Sequence, residues 1–166
     1  MRFRTYPKIG GTAESTGGTW VATEKIHGAN FVVGVTGDEL WFGKRKAWLA
    51  PDDAFFGWQL LARELADPVR ALARSAGAAQ LVCFGEVFGG AYPHPEIAAI
   101  PGLSAVQTGI WYTPEVRWSV FDLLVAADDT DDGELLAHGD VEELAAAAGL
   151  LTPPVLGRGR LADLDR

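Results

Sequence analysis

The sequence predicts an α+β domain built on a largely antiparallel sheet, and three features lead there. Runs rich in β-branched and aromatic residues follow one another with only tight turns between them. A single segment in the middle carries apolar residues at helical spacing, and two long apolar strands come after it. Strands gathered in runs, with the helices set apart from them, form antiparallel sheets more readily than parallel ones. With 166 residues, 48% of them hydrophobic, positions 1–166 are expected to form one domain able to bury its own core.

Taken in order, Thr19 to Lys25 and Asn30 to Thr36 read as strands, and the intervening Ile26-His27-Gly28-Ala29 is short enough to be the turn joining them. Gly37-Asp38 then turns the chain into a third strand, Glu39 to Gly43. From Asp53 to Ala66 the apolar positions 55, 56, 60, 61 and 65 fit a helix, started by Pro51-Asp52. Asp67-Pro68 is expected to end it and to begin a shorter one. Leu81 to Phe88 and Val116 to Val125 are the two strong strands, carrying Glu86 and Asp122. Between them the Gly- and Pro-rich stretch from Gly89 to Pro114 is long enough to suggest a functional or mobile loop. Asp128 to Gly133 is a turn, and Asp140-Val-Glu-Glu reads as a capping box for a helix ending at Gly149.

The net charge of -8 argues at first against a phosphate-rich partner, but the charge is unevenly placed. Residues 1–50 carry seven Lys and Arg against four Asp and Glu, and every lysine of the chain (Lys8, Lys25, Lys44 and Lys46) lies there. A phosphate-handling site would be built from that third, leaving the acidic remainder as solvated surface. Cys83, the single cysteine, excludes an internal disulfide and a thiolate zinc cluster and fits a reducing compartment. His27, His94 and His138 are too scattered to suggest a metal site. No window reaches the roughly 20 apolar residues that span a bilayer, and no signal sequence is evident after Met1. A cytoplasmic, membrane-free protein is therefore expected.

Chemistry concentrates in Glu24-Lys25-Ile26-His27-Gly28-Ala29-Asn30. A lysine ending a strand before a glycine turn sets an amine where backbone can approach a phosphate. To attack, the amine must be unprotonated, which neighbouring cations or desolvation would favour; Lys44, Arg45 and Lys46 are the available cations. The same lysine could equally be a solvated structural residue. Glu86 is a carboxylate in an apolar strand, costly to bury without a partner. Phe121 can be either core or a stacking face. Lys44 and Lys46 read equally as a solvated run, Cys83 as core, and His94 and His138 as surface.

Five segments in order resemble the RNA ligase 2 type family of covalent nucleotidyltransferases. Trp20 to Phe31 is similar to the family's nucleotidyl-lysine motif, with His27 in the RNA ligase form. Phe42 to Lys46 with Ala50 to Gly57, then Phe84-Gly-Glu86, Val120-Phe-Asp122 and Pro154 to Leu161 are similar to its later segments. The resemblance covers most of positions 19 to 161 and implies the adenylation domain of the ATP-grasp-like ligase type, with sheets flanked by helices. It implies that Lys25 carries AMP, that Glu24 and Ile26 contact the base through their backbone, and that His27 assists later steps. Asn30 and Arg45 would lie near phosphates or the RNA end, Glu86 would accept a ribose hydroxyl, and Phe121 would stack on adenine. Lys44, Arg45 and Lys46 would contact RNA. ATP and Mg2+ are the implied cofactors and nicked or broken RNA ends the implied partner, with no metal ligand or protein partner indicated.

The family carries two further motifs, a Glu-Gly strand that supports metal-assisted chemistry and a strand with paired lysines that grip the triphosphate. Neither occurs here, since no lysine follows Lys46 and no Glu after Glu86 is followed by glycine and an apolar strand. Positions 1–166 are thus expected to be the amino-terminal portion of an adenylation domain, incomplete at its carboxyl end. The alternative expectation is a catalytically incompetent fragment that binds nucleotide or RNA ends.

Overall fold

The computed structural model describes residues 1–8 and 18–164. Two antiparallel sheets carry the chain. The larger has six strands in the order β4-β3-β2-β5-β6-β7, made of Ala47–Trp48, Glu39–Lys44, Ala29–Thr36, Gln80–Gly89, Val116–Ala126 and Glu134–Leu135. The smaller pairs β1, Trp20–Thr23, with β8, Val155–Gly159. Helices α1, Trp58–Ala76, and α2, His138–Ala147, follow β4 and β7, and a short α3, Leu161–Leu164, ends the described chain. This is the expected α+β class with antiparallel sheets. No helix among the described residues is long and apolar enough to cross a membrane.

The expected hairpin at Ile26 to Ala29 does not form. β1 pairs with β8, far along the chain, while β2 pairs with β3 and β5. β8 has the sequence VLGRG, and glycine and arginine mask its strand character, so the true partner of β1 carries no pattern signal. Residues 24–28 therefore cross from one sheet to the other and belong to neither.

α1 also departs from expectation, because it runs unbroken through Pro68. Its buried positions Trp58, Leu61, Leu65, Val69 and Leu72 continue one stripe past the proline. The carbonyl of Glu64, which Pro68 cannot bond, belongs to an exposed residue and can turn to water. The burial gained by a continuous stripe outweighs one lost hydrogen bond. At α2 the helix begins two residues before the expected capping box: the carbonyl of Ala137 receives the amides of Asp140 and Val141, with no side-chain cap.

α1 and α2 cover one face of the large sheet, burying Phe31, Val33, Leu81, Cys83, Val120 and Leu123 beneath Leu65, Val69, Leu72 and Val141. The second face, Val32, Val82, Phe84 and Leu124, is covered by Met1, Tyr6, Trp48 and Phe121. β2 is consequently buried continuously from Phe31 to Val35, as a strand enclosed on both faces must be.

The amino terminus is held across that second face by charge. Arg4, only 5% exposed, donates to Gln80 Oε1 at 3.0 Å and to the carbonyls of Asp128 and Asp131 at 2.6 and 2.8 Å. Arg2 bonds the Asp131 carbonyl and the Asp132 carboxylate, and its amide donates to Asp129. The acidic turn expected to be solvated is therefore partly a dock for the first residues. Arg4→Met keeps the stem but strands three acceptors, and is expected to cost about 2–3 kcal/mol. Urea unfolding of parent and variant reads this directly, and a difference within about 0.5 kcal/mol would show that water replaces the arginine at no cost.

Candidate active site

The two sheets leave between them a cleft of about 1570 Å³, floored by the amino end of β2, the carboxyl-terminal half of β5 and the middle of β6. All four lysines reach it: Lys25 from the crossing segment, Lys44 and Lys46 from the β3–β4 turn, and Lys8 from the amino terminus. Arg45 joins them. A chain of net charge -8 thus brings all of its lysines to one cleft.

Register explains why the polar residues meet. Asn30 lies directly across from Glu86 in the β2–β5 ladder, and Glu86 directly across from Ser119 in the β5–β6 ladder. Alternation puts Val32, Phe84 and these polar residues on one face, so the row that is apolar deep in the sheet turns polar at the cleft. On β6 the register slips between Phe84 and Gly85, which face Asp122 and Val120 and leave Phe121 as the extra residue. This bulge turns both Phe121 and Asp122 toward the cleft. Phe121 is half-buried, packed edge-on against Tyr6 at 5.2 Å with the rest of its face open to the cavity, so it serves core and cleft at once. Gly85 has its own reason: a Cβ there would sit 2.3 Å from the Trp118 indole nitrogen, which crosses β5 to donate to the Phe31 carbonyl at 3.0 Å.

The cleft's electrostatics are uneven. Burial raises the Glu86 carboxyl above its ordinary range, against the pull of Lys25, the Gly28 amide and Arg45. Burial likewise raises Asp122, opposed by the hydroxyl of Tyr6, which donates to it, and by His138. Asn30 Oδ1, Trp20 Nε1 and His138 Nε2 are buried on cleft-lining residues with no hydrogen-bond partner among the described residues. Such atoms are costly unless a bound molecule satisfies them.

Of the residues expected from sequence, Glu24, Lys25, Ile26, Asn30, Lys44, Arg45, Lys46, Glu86 and Phe121 all line this cleft. Lys25 itself is exposed. Lys44 also lies 3.5 Å from Asp53. His27 stands apart: it does not line the cleft, and its buried Nδ1 lacks a partner. Cys83 is buried and His94 exposed, as expected. His138, expected at the surface, instead lines the cleft 3.6 Å from Glu142. Its sequence surroundings gave no hint, since α2 delivers it from the opposite wall. Tyr6 was missed for the same reason. No cluster of three metal-ligating side chains occurs among the described residues.

This architecture is that of the nucleotidyltransferase domain of ATP-dependent RNA ligases. An archaeal ATP-dependent RNA ligase matches it with a TM-score of 0.65 and 21% identity, over 98% of this chain and 39% of that one. A Naegleria gruberi RNA ligase variant determined with AMP and Mn matches with a TM-score of 0.59 and 15% identity, over 88% of this chain and 38% of that one. The chain belongs to the RNA ligase family, whose model matches residues 18–165. It is 29% identical over 164 residues to the mitochondrial RNA-editing ligase 2 of Trypanosoma brucei brucei, covering 86% of this chain and 39% of that relative. It is also 29% identical over 170 residues to the mitochondrial RNA-editing ligase 1 of the same organism, covering 86% of this chain and 36% of the relative. The chain thus spans about two fifths of the length of the relatives it matches.

The raised Glu86 gives a test of strain at this site. For an acid held above its ordinary value by folding, the protonated form favours the fold, and stability is lost as pH rises through the raised value. Glu86→Gln should therefore melt at a higher temperature than the parent at pH 7, with the advantage shrinking as pH falls through the raised value and vanishing near the ordinary glutamate value of about 4. A parent equal to or more stable than the variant at pH 7 would mean that Lys25 and Arg45 outweigh burial.

Proposed function

We propose that this chain is the nucleotide-binding, lysine-adenylating part of an ATP-dependent RNA ligase. The observation that carries this reading is the meeting of every lysine with Arg45, Asn30, Glu86 and Phe121 in one cleft. In it, the Lys25 amine attacks the α-phosphate of ATP, a phosphorus–nitrogen bond forms, and pyrophosphate leaves. The AMP then passes to an RNA 5′-phosphate, and a 3′-hydroxyl displaces it to join the strand. Phe121 offers its open face to the purine, Glu86 accepts a ribose hydroxyl, and Arg45 and Asn30 meet phosphate oxygens. Lys44 and Lys46, on an exposed turn at the rim, are suited to the RNA backbone. His27 acts after adenylation, from outside the nucleotide cleft.

Mg2+ commonly takes one or two carboxylates and completes its shell with substrate phosphates and water. Glu24 is the carboxylate next to Lys25 in the cleft and would supply that share, the ion neutralising phosphate charge when bound. A second reading is a module that binds nucleotide or RNA ends without chemistry, and the exposure of Lys25 is compatible with it.

Intact-mass measurement of the purified chain with ATP and Mg2+, with Lys25→Ala alongside, separates the two. A gain of one AMP in the parent alone is expected. Labelling retained in Lys25→Ala would overturn the assignment of the nucleophile, and saturable ATP binding with no adduct in the parent would leave the second reading.

A further inference from the structure

Residues 24–28 lie in neither sheet, so their backbone groups must be satisfied one at a time. The Glu24 amide donates to the Pro154 carbonyl at 2.8 Å, which ties the start of the segment to the small sheet. The other end is held by the long loop between β5 and β6. Tyr112 Oη accepts the His27 amide at 3.0 Å, and Gln107 Nε2 donates to the Gly28 carbonyl at 2.8 Å. On the far side Gly28 presses against β5, where a Cβ would lie 2.0 Å from the Val87 carbonyl oxygen.

The loop is suited to bear such a load at its inner end. Val106 is buried and donates its amide to the Gly89 carbonyl at 2.9 Å, and the Gly90 amide donates to Glu115 at 2.9 Å. The Tyr112 ring packs edge-on against Phe88 at 5.3 Å. Its outer part, with Ile97 and Ile100 exposed, carries none of these ties.

We propose that Gln107 and Tyr112 are positioning residues for nucleotidyl transfer, a brace that fixes the path of the chain leaving Lys25 by holding the His27 amide and the Gly28 carbonyl. The inference rests on the function proposed above. Neither side chain lines the cleft, so neither touches the nucleotide. Both act through backbone, and a shift of the attacking atom by about 1 Å is enough to cost roughly a hundredfold in rate.

The test uses the whole chain as parent, Tyr112→Phe and Gln107→Leu. Amide hydrogen exchange reads the brace without requiring activity. In Tyr112→Phe the His27 amide should exchange about tenfold faster, with Val33 and Leu81 in the sheet unchanged. An unchanged His27 rate would overturn the brace. The rate of AMP attachment to Lys25 reads its consequence. At saturating ATP it should fall about tenfold to a hundredfold in each variant, while the ATP concentration giving half the maximal rate stays within about threefold. Weaker ATP saturation with an unaltered maximal rate would overturn the positioning role. If the parent takes up no AMP, the proposed function falls, and the brace stands or falls on the exchange rates alone.

Discussion

Everything at this site depends on a short piece of chain that no ladder supports. Between Thr23 and Ala29 the backbone leaves the two-stranded sheet and enters the six-stranded one, and buried amides and carbonyls on the way need partners. Three are found: a carbonyl beside β8, a tyrosine hydroxyl and a glutamine amide, while Gly28 presses close against β5. That requirement links residues scattered along the chain, and it makes glycine at position 28 a matter of space rather than turn geometry.

The large sheet supplies the rigid floor. Its central strands are buried on both faces, by α1 and α2 on one side and by residues 1–6 on the other. The second covering does double duty. Arg4 and Arg2 anchor it to the turn at 128–132, and Tyr6 then reaches Phe84, Phe121 and Asp122 at the cleft wall. A strap held by charge at one end thus sets an aromatic and a carboxylate at the other.

Function is visible as unrelieved cost. Glu86 and Asp122 are held half-buried with their carboxyls above the ordinary range, and Asn30, Trp20 and His138 keep buried polar atoms with no hydrogen-bond partner among the described residues. A sheet selected for stability alone would place apolar residues in that row, as it does one and two pairs deeper at Phe84 and Val82. The polar row begins where the cleft begins, and the lysines face it across the opening.

Sequence pattern was enough for the class of fold and for β2, β3, β5 and β6, while resemblance to a known family pointed to Lys25, Asn30, Arg45, Glu86 and Phe121. The strands were legible because runs of β-branched and aromatic residues are local signals, as is a carboxylate such as Glu86 inside an apolar strand. Only the tertiary structure decided which strands pair, that α1 continues through Pro68, and that the amino terminus is a strap. It alone brought Tyr6 and His138 to the cleft wall, set His27 outside it, and put Gln107 and Tyr112 behind the crossing segment. Pairing partners, long-range hydrogen bonds to backbone and the closeness of Gly28 to β5 are contacts between positions far apart in the chain, and no periodicity within a window of residues encodes them.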